Sequence, residues 1–212
     1  MGSIEEFVKK QGPFNSIFID IPIGLLSRGK SIRACDREAR KILGRPRSSS
    51  IFPVPCRDAV YVETYKLANK INRDRIRKGL SKQSWNISSK IKEMDQFMQG
   101  HDDAKDYIFE SHPEVCFWAL NDRKPMKHYK KTQEGINERK ELLKEFWEFP
   151  VSPLVQVSRN YQKKDLEIDD VLDAWVLALS AERHPEIKFL PNPYEYDDLG
   201  IPMRICYSDF NR

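Results

Sequence analysis

The chain has few of the cysteines that cross-link small folds through disulfide bonds or zinc, and it lacks the long apolar runs of membrane-spanning segments. Its four cysteines, Cys35, Cys56, Cys116 and Cys206, lie far apart and form no C-x-x-C pair. That spacing excludes the usual zinc sites, and a disulfide framework is not expected in a chain of 212 residues. No apolar run approaches the ~18 residues that span a bilayer, and the acidic N-terminus lacks a signal-peptide core. We therefore expect a soluble, cytoplasmic protein with reduced cysteines.

An excess of charge of one sign is also nearly absent. Lysine and arginine number 36 against 32 acidic residues, which gives a formal net charge of +4. Any binding to nucleic acid must therefore depend on where the charges cluster. Apolar residues make up 40% of the chain and aromatic residues 11%, which argues against disorder and supplies a sizeable core.

The order of predicted strands and helices indicates one α/β domain over residues 1–212. Residues 16–21 form a continuous β-branched and aromatic run, which is typical of a parallel strand buried on both faces. Residues 107–110 predict a second short strand, and Pro113 predicts the start of a helix. Further helices are predicted at 31–43 (ended by Gly44), 81–98, 132–147 and 169–183. Four prolines after residue 183 predict a mostly irregular tail.

Two aspartates three residues apart are the most informative feature of the last predicted helix. Asp170 and Asp173 project from one helix face, and the rest of that helix is apolar nearly all round. Asp169 and Asp170 also have a structural interpretation, because acids in a first turn cap a helix. Asp173 lies one turn further in, where a buried carboxylate needs an arginine partner or a metal ion.

Acidic residues also end both predicted strands. Asp20 follows the first strand and Glu110 ends the second. Either can be an ordinary turn residue, but ligand sites in open parallel sheets lie outside the carboxyl ends of the strands. Together with the aspartates of the helix, they could converge at one edge of the sheet. Such oxygen ligands suit Mg²⁺, and paired ions stabilise the attacking and leaving oxygens of a phosphodiester displacement.

Residues 24–31 match the phosphate-binding pattern G-x-x-x-x-G-K-S between a strand and a helix. Asp20 and Pro22 interrupt the junction with the strand, and the interior of the loop is bulky rather than glycine-rich. No later apolar strand ends in a suitable acid. A P-loop nucleotide hydrolase is therefore the third-ranked interpretation.

Basic residues cluster in three stretches, and each can be a solvated helical face or a surface for phosphates. The first includes Arg33, Arg37 and Arg40, the second covers residues 70–82, and the third residues 124–131. Trp85 could stack on a base, although a tryptophan beside an amphipathic helix is usually a core residue.

In several segments the chain resembles a family of unknown function, DUF429, whose members are predicted RNase H-like nucleases. The segments that carry the resemblance run in order along the chain: residues 19–25 (IDIPIGL), 33–40 (RACDREAR), 50–57, 79–85 (GLSKQSW), 110–115 (ESHPEV), 131–135, 169–174 (DDVLDA) and 200–203 (GIPM). The D-x-x-D-A helix is similar to the last helix of Holliday-junction resolvases, in which such acids bind metal.

The resemblance implies an RNase H-like mixed sheet flanked by helices and a metal-dependent nuclease activity. Asp20, Asp170 and Asp173 would then hold Mg²⁺ or Mn²⁺, with Glu110 as a weaker candidate. Residues expected to contact the nucleic acid, DNA or RNA, are Arg33, Arg37, Arg40, Arg57 and Lys131 for phosphates, with Trp85 and His112 for a base or sugar.

One departure from the family pattern matters. Similar proteins begin with a strand that bears an aspartate, and two further strands follow it. This chain begins at the helix before the strand of Asp20. We therefore expect an open sheet edge, covered by a preceding segment or by another chain, as in a homo-oligomer. The missing acid favours the alternative of a non-catalytic module that binds nucleic acid or protein.

Overall fold

A computed structural model describes residues 2–146, 167–183 and 186–210. Its helices are α1 Ile4–Gln11, α2 Ala34–Arg47, α3 Arg57–Val60, α4 Tyr65–Ile76, α5 Lys82–Asn86, α6 Ser88–Gly100, α7 Ala104–Tyr107, α8 Pro113–Leu120, α9 Gln133–Lys144 and α10 Ile168–Glu182. Within these ranges every helix is too short or too polar to reach across a lipid bilayer. All four cysteines are free and buried.

Two strand pairs form the β-structure. Strands β1 (Ile17–Ile19) and β2 (Ile108–Glu110) are parallel, while β3 (Ile187–Tyr196) and β4 (Pro202–Ser208) are antiparallel. A parallel bridge between Ser111 and Cys206 joins the two pairs. Helices α8 and α10 pack against each other, and both contact β4. The architecture is therefore mixed α/β, as expected.

The structure confirms several boundaries and corrects others. The parallel pairing of the first two strands and the helix start at Pro113 are confirmed. Gly44 has a φ of 57° and interrupts the α2 helix, as predicted. The predicted helix 81–98 is divided at Ile87, whose ψ of 3° is not helical, into α5 and α6. Residue 147, the predicted end of α9, lies outside the described residues.

The prediction of an irregular tail is wrong, because β3 and β4 form a hairpin there. Leu190 pairs with Ile205 and Glu195 with Met203, and the register shifts between these two pairs. Pro191 and Pro193 lie within the shifted stretch, where no ladder partner is assigned to them. Prolines are tolerated in a strand where their missing amide is not needed.

The edge of β1 away from β2 pairs with no strand in the part of the chain that the structure describes. A groove of about 1000 Å³ runs along that edge, lined mainly by apolar side chains that include Ile4, Phe7, Ile17, Ile19 and Met94. The expected open sheet edge is thus present. What covers it stays a prediction.

Candidate functional site

The two strand-end acids lie at one edge of the sheet, as the parallel pairing requires. Ile19 stands opposite Glu110 in the register, and Asp20 directly follows Ile19. A small cleft of about 20 Å³ is lined by Asp20, Glu110 and His112, together with other residues. Asp20 is exposed, whereas Glu110 is buried. The two carboxylates therefore share an edge but not an environment.

Glu110 is part of a closed, buried charge network. Both terminal nitrogens of Arg33 donate to its carboxylate, at 2.7 and 2.6 Å, and the Ile23 amide donates at 2.7 Å. Arg33 also donates to Asp36 at 2.6 and 3.1 Å. Burial, with a smaller contribution from the charge of Asp36, raises the pKa of Glu110 to about 7 against the lowering effect of Arg33. One arginine therefore serves two buried carboxylates.

This network corrects two predictions. Arg33 is 1% exposed and is also bonded to the carbonyls of Ile23 and Gly24, so it is not presented to phosphates. Glu110 has both oxygens bonded to that guanidinium, which leaves it unsuited to ligate a metal ion. Both residues instead fix the turn after β1 against the end of β2.

Asp170 does not face the other acids. It is exposed, and its carboxylate accepts a hydrogen bond from the Glu167 amide at 3.2 Å within a capping box at the start of α10. Asp170 therefore belongs to the capping box of this helix, in which Glu167 is the N-cap residue, and this structural role is the alternative that the sequence left open for it. The sequence interpretation attributed a capping role to both Asp169 and Asp170, and only one of them has it.

The inward-facing pair on α10 is Asp169, which is buried, with the half-buried Asp173, four residues further along the helix. Between them lies the ammonium of Lys130, at 2.5 Å from Asp173 Oδ2 and 3.4 Å from Asp169 Oδ2. The other oxygen, Asp173 Oδ1, is buried without a hydrogen-bond partner among the described residues. Burial raises the pKa of Asp173, Lys130 opposes that effect, and the charges of Asp20 and Glu114 add to it. Asp20 and Glu114 therefore both lie within electrostatic reach of Asp173.

A second buried ion pair lies beside this group. Glu114, in the first turn of α8, pairs with Arg139 of α9, whose side chain is fully buried. Arg139 also donates to the carbonyls of His128 and Gly135, at 3.2 and 3.0 Å. Glu114 Oε2 is another buried carboxylate oxygen without a bonded partner in the described ranges. This pair ties the loop before α9 to α8.

Sequence reasoning missed four residues of this site: Asp169 as a buried acid, Glu114, Lys130 and Arg139. One of them left a signal. Arg139 occurs at helical spacing from the buried residues Gly135 and Leu143, so a cation on an apolar face could have been noticed. Lys130 had no distinguishing signal, since it lies in a run of similar lysines.

The resemblance implies a divalent cation, for which the carboxylate oxygens of this site are the candidate ligands. Within the described ranges, no three histidine, cysteine, aspartate or glutamate side chains come close enough together to hold a metal ion. Mg²⁺, however, usually binds through one or two carboxylates plus waters and substrate phosphates. Asp20 and the partnerless oxygen of Asp173 suit that arrangement, provided that substrate supplies further oxygens. Lys130 already neutralises part of this charge.

The residues predicted to bind nucleic acid divide into engaged and available side chains. Arg57 is held between Asp95 at 3.0 Å and Asp197 at 2.5 Å, so its assignment as a phosphate contact is corrected. Arg40 donates to the carbonyl of Ile51. Arg37, by contrast, is 63% exposed, with Glu38 at 3.5 Å.

The remaining predicted contacts lie on three different elements. Trp85 is half-buried and packs edge-on against Tyr65 at 6.2 Å. His112 caps α8, accepting a hydrogen bond from the Glu114 amide at 3.2 Å, and it lines the cleft with Asp20. Lys131 is exposed and pairs with Glu167 at 2.6 Å. Lys131 directly follows Lys130, which binds Asp169 and Asp173 of α10.

The stretch that resembles a P-loop is engaged in structural contacts. The Leu25 amide donates to Asp197 at 3.0 Å, and the Gly29 amide donates to the carbonyl of Arg75 at 3.0 Å. Lys30 pairs with Glu195 at 2.7 Å, and α2 begins only at Ala34. These bonds use groups that a P-loop would direct at phosphate, so the geometry does not support that interpretation.

Comparison with known proteins gives one result. No curated protein matches the chain. No solved structure matches it either. The family described as a protein of unknown function, DUF429, matches residues 1–195, which is more than nine-tenths of the chain. The chain therefore belongs to the DUF429 family.

Proposed function

We propose that the protein is a metal-dependent nuclease that hydrolyses nucleic-acid phosphodiesters on an RNase H-like framework. The observation that carries the proposal is the incompletely neutralised carboxylate group formed by Asp20 and Asp173. Asp173 Oδ1 is buried without a hydrogen-bond partner in the described part of the chain, and the Asp20 charge acts on it. Buried carboxylate oxygens are normally bonded, so an unbonded one needs an explanation such as a missing ion.

The position of this group supports the same proposal. Asp20 lies at the carboxyl end of β1, and ligand sites of open α/β sheets lie outside such ends. Exposed lysines flank it in the loop before α9, where Lys131 reaches Glu167. A phosphate chain that lies along these lysines would pass the acids of α10.

Each side chain then has a separate task. A bound Mg²⁺ or Mn²⁺ would supply charge stabilisation and activate water. Asp20 and Asp173 would hold that ion, and Asp169 would keep Lys130 close by if its ammonium left Asp173. Lys130 is then placed to neutralise a phosphate oxygen. Glu114, fixed by Arg139, adds negative charge that favours a cation in this position.

A second candidate, a nucleic-acid-binding module without catalysis, is favoured by one observation. Lys130 already pairs with Asp173 at 2.5 Å and with Asp169 at 3.4 Å, as an internal substitute for a metal ion. In that case the carboxylates of Asp169 and Asp173 hold the loop before α9 in place and take no part in chemistry.

Asp173→Asn separates the two candidates. With millimolar Mn²⁺, the melting temperature of the wild type should rise, because an ion that binds only the folded state stabilises it. Asp173→Asn should abolish both this rise and the Mg²⁺-dependent cleavage of a fluorescent oligonucleotide. Asp170→Asn is the matched control, since its side chain is exposed and serves only as a cap. It should lower stability by ~0.5–1 kcal/mol but keep the metal response. A wild type without metal response or cleavage, but with bound oligonucleotide, would establish the binding module instead.

A further inference from the structure

Tyr129 is a large aromatic side chain on the surface of the basic loop, defined here as residues 123–131. Its side chain is 56% exposed, and it directly precedes the Lys130 that binds Asp173. An exposed aromatic ring loses contact with water only if a partner covers it. Because Tyr129 precedes Lys130, such a partner would also lie close to the carboxylates of α10.

The backbone of the basic loop is held firmly on helix α9. Glu138 accepts the amides of Lys127 and His128, at 2.9 and 3.0 Å. The carbonyl of Tyr129 accepts the amide and the hydroxyl of Thr132, both at 3.0 Å. A Cβ at Gly135 would stand 1.9 Å from that carbonyl oxygen, so the loop and helix approach as closely as glycine allows. The ring is thus presented by an ordered backbone, and binding would cost little ordering entropy.

One cation lies near this ring in space, and two more lie close to it along the loop. The guanidinium of Arg47 lies 6.0 Å from the ring centroid and donates to the Lys127 carbonyl at 3.5 Å. Lys127 and Lys131 are exposed on either side of Tyr129 along the loop. An aromatic face among cations is the combination that binds single-stranded nucleic acid, in which bases stack on the ring and cations track the phosphates.

We propose that Tyr129 stacks on an unpaired base, so that this protein selects single-stranded nucleic acid. The inference rests on the proposed function for the site, and it adds the substrate class. A duplex keeps its base faces stacked inside, so an exposed ring on a loop can reach them only where pairing is broken. The ring would position the strand, and the phosphate beside the stacked base would then lie near Lys130 and the acids of α10.

Fluorescence anisotropy in EDTA tests the inference without any dependence on metal or cleavage. The probes are a labelled mixed-sequence oligonucleotide, its blunt duplex, and the same strand with abasic sites, each as DNA and as RNA. The wild type should bind the intact single strand most tightly. Tyr129→Ala should weaken that binding about 5- to 150-fold, the equivalent of ~1–3 kcal/mol for one stacked base. It should have little effect on the duplex or the abasic strand.

Three further variants make the test specific. Tyr129→Phe keeps the ring and should bind like the wild type. Gly135→Ala leaves the ring intact but displaces the loop, and it should weaken single-strand binding as well. Tyr196→Ala, which removes a comparably exposed tyrosine at the end of β3, should have no effect.

The possible failures are distinguishable. If the wild type binds strand and duplex equally and Tyr129→Ala changes neither, the stacking inference is overturned while the proposed function stands. If the wild type binds no nucleic acid in any form, the proposed function falls with it.

Discussion

The two groups of carboxylates beside the parallel strands differ in how completely they are paired. The first group, Glu110 and Asp36, lies in the interior, and Arg33 bonds to both members. The second group, Asp20 and Asp173, includes an exposed carboxylate and a buried oxygen without a bonded partner in the described residues. Its lysine, Lys130, is one-third exposed. The comparison indicates that the closed group holds the fold together, and that the open group can accept a ligand.

The largest expected effect concerns the closed group. Arg33→Met should lower the free energy of unfolding by ~3–5 kcal/mol, because it leaves two buried carboxylates without a cation. Urea unfolding monitored by tryptophan fluorescence would measure the change. Arg37→Met is the matched control on α2, since that side chain is exposed, and it should shift stability by less than ~0.5 kcal/mol. Equal effects of the two variants would remove the distinction between the groups.

A pH dependence should also mark the closed group. Because burial raises the pKa of Glu110 from 4.5 to about 7, its contribution to stability is complete below pH 4.5 and is lost as the pH rises through 7. Glu110→Gln resembles the protonated form, so it should match the wild type near pH 4.5. It should become the more stable protein above pH 7, by up to ~3 kcal/mol. A difference between the two that does not vary with pH would contradict this assignment.

A smaller effect is expected in the open group. Lys130→Met removes the ammonium from Asp169 and Asp173, and should destabilise the metal-free protein by ~1–2 kcal/mol. The same variant should show a larger rise in melting temperature with millimolar Mn²⁺ than the wild type, because the internal cation no longer competes. Lys131→Met, whose partner Glu167 is exposed, is the neighbouring control and should leave the metal response unchanged. An unchanged response in Lys130→Met would mean that the lysine does not occupy the position of the metal.

The smallest effect concerns the salt dependence of oligonucleotide binding. Replacing Lys127 and Lys131 by alanine should reduce the slope of log K against log salt by ~0.7 per lost phosphate contact. Replacing Arg37 and Lys41, which are exposed on α2, tests whether the basic loop alone binds the phosphates. Titrations at several salt concentrations measure both slopes. If only the α2 pair changes the slope, the interface lies on that helix.

Local patterns in the sequence predicted much of the fold. The continuous apolar run before Asp20 predicted β1, and Pro113 predicted the start of α8; both signals are local. The β3–β4 hairpin escaped prediction because Pro191 and Pro193 lie where the pairing is irregular, and only the partner strand reveals that irregularity. The division of residues 81–98 at Ile87 likewise left no Gly or Pro as a signal.

The site was predictable in its types of residue but not in its pairings. The sequence predicted that two strand-end acids and the helix acids could meet at one edge of the sheet, yet it could not show which of them are paired with a buried cation. Arg33 reaches Glu110 across 77 positions, and Lys130 reaches Asp173 across 43. Helical spacing alone favoured Asp170 over Asp169 as the partner of Asp173. The sequence does not show which of the two caps the helix and which is buried, because that difference depends on the surrounding residues.

Asp197, just after β3, has a consequence for the order in which the chain folds. Its carboxylate accepts the amide of Leu25 at 3.0 Å, across 172 positions, and the guanidinium of Arg57 at 2.5 Å, across 140. The Leu25 amide in the turn after β1 therefore lacks its bonded partner until Asp197 has left the ribosome. Contacts between such distant residues slow folding, since a large loop must close before they form. During synthesis, this part of the turn would be among the last to become ordered, and a nascent chain would expose it to chaperones longest.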